Sequence, residues 1–315
     1  MRVKHPIQYL RVSLLNKCNL NCFYCRPQNE KEVPEWNRSN PDKCKQALSL
    51  LYSMGVRKIR FTGGEPTLYK ELPDLITFSK SLGPDVKSAL TSNGILLAKL
   101  APELRLAGLD SVNISIDTLD PTKFTSITSR DYLDRVLDGI TCAKEYIPEV
   151  KLNTVVMKGV NDDEVANLIE FANSMKVNIR FIEYMPSRTG TPHYKYISGN
   201  EIRNSLPYEF SALGQSGASA ARYYKANNLD IKVGFINPVS HSFCNNCNRL
   251  RLAADGKLYG CLFDGRNINL FELLEQDDIK AQQETIKLVN DKQFQGCSGV
   301  ASSQDNLPSF LEMGG

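Results

Sequence analysis

Residues 16–27 read "NKCNLNCFYCRP" and set Cys18, Cys22 and Cys25 at C-x3-C-x2-C inside one loop. Just before them runs "YLRVSLL" at 9–15, whose β-branched and aliphatic residues spell a strand. Three thiols clustered after a strand point to metal, and they are one donor short of a closed four-ligand site. Working outward, strand-like runs recur as "KIRFTGG" at 58–64, "SALTSNG" at 88–94, "SVNISID" at 111–117, "KLNTVVM" at 151–157 and "NIRFIEYM" at 178–185. Amphipathic segments separate them. Over 40–55, Asn40 can cap a helix, Pro41 suits its first position, Leu48 and Leu51 share a face, and Gly55 ends it. A second helix is expected over 161–175, opened by Asn161 and followed by two acids. Roughly six β-α units imply a parallel sheet of one hand, either doubly wound or a partial barrel.

The strand faces choose between these forms. Every second residue gives one polar face, Arg11 and Ser13, then Lys58, Arg60 and Thr62, then Asn113, Ser115 and Asp117, then Lys151 and Asn153. The opposite face is apolar, with Leu10, Val12, Ile59, Phe61, Val112, Ile114 and Ile116. A doubly wound sheet is apolar on both faces. Helices must pack on the apolar face, so the polar face lines the inside of a curved sheet. The cations Arg11, Lys58, Arg60, Lys151 and Arg180 meet Asp117 and Glu183 as the obvious acids there. A packed lumen of mutually paired polar groups is the alternative, but each unpaired buried cation costs several kcal/mol. An open cationic cavity for an anionic ligand follows.

Composition narrows the class. The 315 residues are 42% hydrophobic and 23% charged, enough for one large domain or a domain with an appendage. No apolar run approaches the roughly 20 residues of a membrane span, and the start "MRVKHPIQYLRVSLLNKC" lacks a signal-peptide core. A cytoplasmic protein is therefore expected, where nine cysteines would be odd as a disulfide framework and clustered ones point to metal. The net charge of +3, without a basic run, argues against nucleic acid as a partner. After about residue 190 the rhythm turns to "ARYYKA", "IKVGFI" and a hairpin "RLRLAADGKLYGCLF", with Asp255-Gly256 as its turn. Residues 1–190 are thus expected to form the core and 191–315 a C-terminal extension laid on it.

Thiolates in one loop suit an iron-sulfur cluster with one iron left open for a reactant. A zinc site drawing its fourth ligand from elsewhere stays possible on spacing alone. The loop, with Tyr24 before its last cysteine, and "TGGEP" at 62–66 after the next strand resemble the two signatures of the radical S-adenosylmethionine (SAM) superfamily. That resemblance implies a partial (βα)6 TIM-like barrel, with a 4Fe-4S cluster whose fourth iron is chelated by the amino and carboxylate groups of SAM. The cluster's electron then splits SAM to a 5′-deoxyadenosyl radical.

A second set, "SFCNNCNRLRLAADGKLYGCLF", places Cys244, Cys247 and Cys261 at C-x2-C-x13-C. His241 could complete a zinc knuckle there. Arg249 and Arg251 stand at i and i+2 of a predicted strand and point the same way, an arrangement suited to phosphate oxygens. With "FTGGEP", "LTSNG", "VNISID", "KGVND" and "RFIEYMP", the chain resembles the GTP 3′,8-cyclase family of molybdenum cofactor biosynthesis over about residues 7–265 and again at Gly314-Gly315. It departs at Leu15-Asn16, where the family usually has Thr-Asp, and at Arg26, where it has Met; residues 266–313 match poorly.

The resemblance implies two 4Fe-4S clusters, the second on Cys244, Cys247 and Cys261 in an α+β C-terminal extension, with an iron left for the guanine base. It assigns SAM contacts to Tyr24, Gly64, Ser115 and Met185, and GTP contacts to Arg11, Arg60, Thr91, Lys151, Arg249, Leu250 and Arg251. It gives catalytic roles to Arg249, Arg251, Gly314 and Gly315, the diglycine threading into the active site. The implied product is (8S)-3′,8-cyclo-7,8-dihydroguanosine 5′-triphosphate, the first step toward molybdopterin. Implied partners are GTP, a cellular electron donor and the downstream cyclic pyranopterin monophosphate synthase, and a homodimer is compatible. Two other readings exist. A radical SAM peptide-modifying enzyme with an auxiliary cluster would usually carry more C-terminal cysteines, and an iron-sulfur electron carrier would consume no SAM. Cys44 and Cys142 read as small buried hydrophobes in helices.

Overall fold

In the computed structural model, which describes residues 7–25, 37–185, 195–214, 219–241, 247–262 and 264–295, strands and helices alternate from the start. The order is β1 (Tyr9–Ser13), α1 (Pro41–Ser53), β2 (Lys58–Thr62), α2 (Leu72–Ser81), β3 (Lys87–Ser92), α3 (Leu97–Leu106), β4 (Ser111–Ser115), α4 (Pro121–Thr128), α5 (Leu133–Tyr146), β5 (Glu149–Val156), α6 (Val165–Ser174) and β6 (Asn178–Glu183). There follow α7 (Gly199–Ser205), β7 (Phe210–Ala212), β8 (Ala221–Ala226), β9 (Lys232–Ile236), β10 (Arg249–Leu252), β11 (Lys257–Tyr259), β12 (Asn267–Asn269), α8 (Leu270–Gln276) and α9 (Asp278–Gln295).

The first six strands pair in chain order, every neighbour parallel. Their apolar face is the core: Leu10, Val12, Ile59, Phe61, Leu90, Val112, Ile114, Leu152, Ile179 and Phe181 are each at most 1% exposed. Each such side chain contributes about 1.5–3 kcal/mol by leaving water, so register is strongly specified. Strands from beyond residue 190 continue the same sheet at both edges. On one side β10 pairs parallel with β1 and carries β11 and β12; on the other β9 pairs parallel with β6 and carries β8 and β7. The hairpin forms as expected, with Arg251 opposite Tyr259 and Gly256 at φ +87° in the turn.

Helix starts follow local chemistry. Asn40 caps α1, accepting from Asp42 N at 3.0 Å and Lys43 N at 3.1 Å. At 161 the expectation fails. Asn161 makes no side-chain cap, a short 3-10 turn covers Asp162–Glu164, and α6 begins at Val165. The Asn161 amide is used inward instead, accepting from Met157 N at 2.8 Å and donating to Asp117 O at 2.7 Å and Val155 O at 2.9 Å. It ties the end of β4 to the end of β5, and a fully buried amide favours three hydrogen bonds over one cap.

Candidate active site

All six core strands, β8, β10 and the turn after β11 contribute to one cavity of about 970 Å³. Its wall contains Cys18, Cys22 and Cys25 at one place and Cys247 and Cys261 at another. All five are thiols of intermediate exposure.

The cysteine loop is held by the "TGGEP" turn. Gly64 N donates to Leu15 O at 2.7 Å and Glu65 N to Lys17 O at 2.8 Å, so the chain entering the loop runs against the turn. A Cβ on Gly64 would stand 2.3 Å from Lys17 O, and one on Gly63 2.5 Å from Leu15 O. Two glycines are therefore required. Glu65, 1% exposed, accepts from Thr67 N at 3.1 Å, Ser92 Oγ at 2.8 Å and Asn93 N at 2.7 Å. Burial pushes its carboxyl up, and these hydrogen bonds restrain the shift. Asn93 in turn donates through Nδ2 to Asn19 Oδ1 at 2.7 Å and to Cys18 Sγ at 3.7 Å. Burial, then the charges of Cys25, Asp117 and Cys18, pushes the Cys22 thiol well above its usual range. A thiolate there needs a cationic centre beside it.

Parallel register builds a cationic wall. Tyr9 is level with Lys58 on one side and Arg249 on the other, and Arg11 is level with Arg60 and Arg251. Neighbouring strands lie about 4.8 Å apart, so five cations surround one phenol on the same face. Arg60, 4% exposed, donates through Nε to Tyr9 Oη at 2.8 Å and through Nη1 to Leu90 O at 2.5 Å and Thr91 Oγ1 at 3.4 Å. Desolvation, then the charge of Arg251, brings Arg11 down to about 9. Desolvation, partly offset by Tyr9 and Cys261, brings Arg251 to about 10. Both stay charged at neutral pH. Across the cavity Arg180 Nε donates to Asn153 Oδ1 at 2.9 Å, while its buried Nη2 has no hydrogen-bond partner among the described residues.

The expected charge balance needs correcting. Glu149 pairs with Lys151 at 2.5 Å. Glu183 falls out of step with the facing set Asn178, Arg180 and Ile182. Its carboxylate is taken by Gly199 N at 2.8 Å, Val239 N at 3.1 Å, Ser240 N at 3.0 Å and the Ser240 hydroxyl. Asp117 accepts from Tyr24 Oη at 2.6 Å and Val155 N at 2.9 Å, and burial lifts it to about 6. Among the described residues Lys58, Arg60 and Arg180 have no ion pair. The wall remains strongly cationic.

Tyr24, Gly64, Ser115 and Met185 line this cavity, as do Arg11, Arg60, Thr91, Lys151, Arg249 and Arg251. Leu250 does not. It alternates to the other face of β10 and lies in the core at 1% exposure, so its side chain offers a ligand nothing. Cys244, Gly314 and Gly315 lie outside the described residues. Cys44 is fully buried, whereas Cys142 is only partly so and donates to Ala98 O at 3.4 Å. Tyr9 and Asn93 were not singled out from sequence. A tyrosine in a strand reads as a strand former, and an asparagine before glycine, as in "LTSNG", reads as a turn residue.

Two family models match the chain, Radical SAM superfamily over residues 12–172 and Molybdenum Cofactor Synthesis C over residues 177–296. A GTP 3′,8-cyclase of Campylobacter jejuni subsp. jejuni serotype O:6 is 36% identical over 313 residues, 98% of this chain and 97% of the relative. One from Peptoclostridium acidaminophilum is 40% identical over 274 residues, 84% of this chain and 83% of the relative. The chain belongs to the GTP 3′,8-cyclase family.

Membership of the GTP 3′,8-cyclase family extends further than the motifs indicated, because the second match runs through residues 266–296. The solved Streptococcus suis SuiB bound to S-adenosylmethionine superposes with a TM-score of 0.61 at 16% identity, over 86% of this chain and 65% of that one. This chain thus spans just under two thirds of that neighbour, and the likeness concerns the fold. The superfamily's cofactors are S-adenosylmethionine and 4Fe-4S clusters, and the site fits them. The donors grouped in the cysteine loop are thiols, and Cys18 Sγ already receives Leu20 N at 3.4 Å as well as Asn93. N–H groups aimed at sulfur are what an iron-sulfur cluster uses to spread its charge.

Proposed function

We infer that this protein is a GTP 3′,8-cyclase, converting GTP and S-adenosylmethionine to (8S)-3′,8-cyclo-7,8-dihydroguanosine 5′-triphosphate at the start of molybdopterin synthesis. One observation carries the reading: the cation rows of β1, β2 and β10 share a single cavity with Cys18, Cys22 and Cys25 and with Cys247 and Cys261 of the second set. Cys18, Cys22 and Cys25 would hold one 4Fe-4S cluster, and Cys244, Cys247 and Cys261 the other. Together the first cluster and S-adenosylmethionine would supply one-electron chemistry, an electron from the former and from the latter a carbon radical suited to the ribose C3′ hydrogen of GTP.

The chain's own residues do the positioning. Tyr24, Gly64, Ser115 and Met185 would contact S-adenosylmethionine, the Tyr24 ring fixed by its bond to Asp117. Arg11, Arg60, Lys151, Arg249 and Arg251 would grip the triphosphate, at about 1.5–3 kcal/mol per charged hydrogen bond. Thr91 would act mainly through Arg60, whose Nη1 it receives. C3′ and C8 belong to one ligand, so fixing its two ends converts ring closure into a local event. Turnover calls for a cellular electron donor, and the product for the cyclic pyranopterin monophosphate synthase downstream. A cytoplasmic location agrees with the helices, none of which is long and apolar enough to cross a membrane among the described residues. The test is anaerobic reconstitution with GTP, S-adenosylmethionine and dithionite, followed by mass spectrometry. Equimolar 5′-deoxyadenosine and cyclised nucleotide are expected; 5′-deoxyadenosine formed only with a peptide added would overturn the assignment.

A further inference from the structure

Tyr9 is a residue on the cavity wall that the reaction above leaves without a task. It sits between two cations, level with Lys58 and Arg249, whose cationic groups lie 5.5 Å and 5.7 Å from its ring centroid. Its hydroxyl accepts from Arg60 Nε at 2.8 Å. The charged groups acting on it come from every strand around it: Arg11 on its own strand, Lys58 and Arg60 on β2, Arg249 and Arg251 on β10, and Arg180 on β6. All are cations. Glu149, the acid that acts on Lys58, is already held by Lys151.

Resting on the triphosphate reading, we propose that Tyr9 is a positioning residue that serves as the stand-in anion of this wall. Its hydroxyl orients Arg60 and gives up its proton to balance the cations before nucleotide arrives, then takes a proton back as phosphate oxygens replace it. The linkage has a fixed sign. Desolvation alone would raise the phenol, but the charges of Arg60, Arg11, Lys58 and Arg249 outweigh it and bring it down to about 7. A bound polyphosphate cancels those charges and returns the phenol toward its ordinary value near 10. Between the two values, binding takes up a proton, so affinity falls as pH rises through 7, approaching tenfold per pH unit. The same balance gives a reason for a tyrosine here. A carboxylate would stay ionised and compete with phosphate at every pH, and a phenylalanine would leave the row without an anion.

The experiment uses the holoenzyme with both clusters reconstituted anaerobically, and GTP and ATP as probes. Calorimetric titrations from pH 7 to 8.5, repeated in buffers of different ionisation enthalpy, read the dissociation constant and the protons taken up. Wild type should weaken by about tenfold per unit and take up a sizeable fraction of a proton near pH 8. Tyr9→Phe should lose both effects between pH 7 and 8, keep only the smaller uptake by Arg11 toward pH 8.5, and bind more tightly than wild type there. Proton uptake by the wild type stands by itself if the variant folds poorly. Binding of ATP but not GTP with the slope intact would support Tyr9's role while removing GTP as substrate. A pH-independent wild type, an equal slope in Tyr9→Phe, or no binding of either nucleotide overturns the proposal.

Discussion

Asn93 reaches from the turn after β3 to the first cysteine, its Nδ2 donating to Cys18 Sγ at 3.7 Å and to Asn19 Oδ1 at 2.7 Å. Its own backbone N is anchored on Glu65 Oε2 at 2.7 Å. Three separated stretches, the cysteine loop, the "TGGEP" turn and "LTSNG", are thereby one hydrogen-bonded unit. An N–H dipole at sulfur favours the reduced, more negative state of a cluster.

Asn93→Ala should therefore keep the iron content of reconstituted protein but lower the reduction potential of the SAM-binding cluster. A loss of about 1 kcal/mol corresponds to about 40 mV for a one-electron couple. A redox titration followed by electron paramagnetic resonance checks it, and an unchanged potential would show that the contact does not reach the cluster.

Gly64→Ala should act on the polypeptide before any cofactor binds. The added Cβ would stand 2.3 Å from Lys17 O and 2.5 Å from Lys17 C, and backbone cannot swing aside as a side chain can. Destabilisation of about 1–3 kcal/mol is expected in urea unfolding of the apoprotein. Iron uptake on Cys18, Cys22 and Cys25 should fall with it; a wild-type denaturation midpoint would contradict the close approach.

Arg249→Ala and Arg251→Ala should each raise the dissociation constant for GTP roughly tenfold or more, the loss of one charged hydrogen bond. Guanosine should bind both variants and wild type about equally, since it has no phosphate to lose. Parallel loss of guanosine and GTP would instead assign the two arginines to holding β10 against β1.

Cys22→Ala should abolish S-adenosylmethionine cleavage while the set of Cys244, Cys247 and Cys261 still assembles its cluster. Iron per chain should halve. Zinc at one equivalent per chain in anaerobically purified wild type would rule out the two-cluster arrangement.

Much of this was legible in the chain. The six core strands, the Asn40 cap, the Asp255-Gly256 hairpin and the polar lining all follow from local periodicity, because side chains alternate by two in a strand and the apolar half must be buried. The cysteine spacings belong to the same category, since ligands a few residues apart in one loop meet whatever the rest does. Asn161 is ambiguous in sequence because a cap and an inward hydrogen-bond hub use the same amide, and only the packing of β4 against β5 selects between them.

Glu183 and Lys151 show the limit from the other side. A charge count along strands lists acids and cations without saying which are already engaged, and Glu183 is claimed by backbone N–H groups at residues 199, 239 and 240. The sequence by itself determined which residues could face a common interior and which thiols could bind a cluster, for these are set by periods of two and by short spacings. Only the tertiary structure decided that Tyr9 stands among five cations and that Asn93 touches Cys18. Arg11 apart, those neighbours come from stretches some 50 to 240 residues away in the chain, brought together by strand register. Register is a property of the whole buried face.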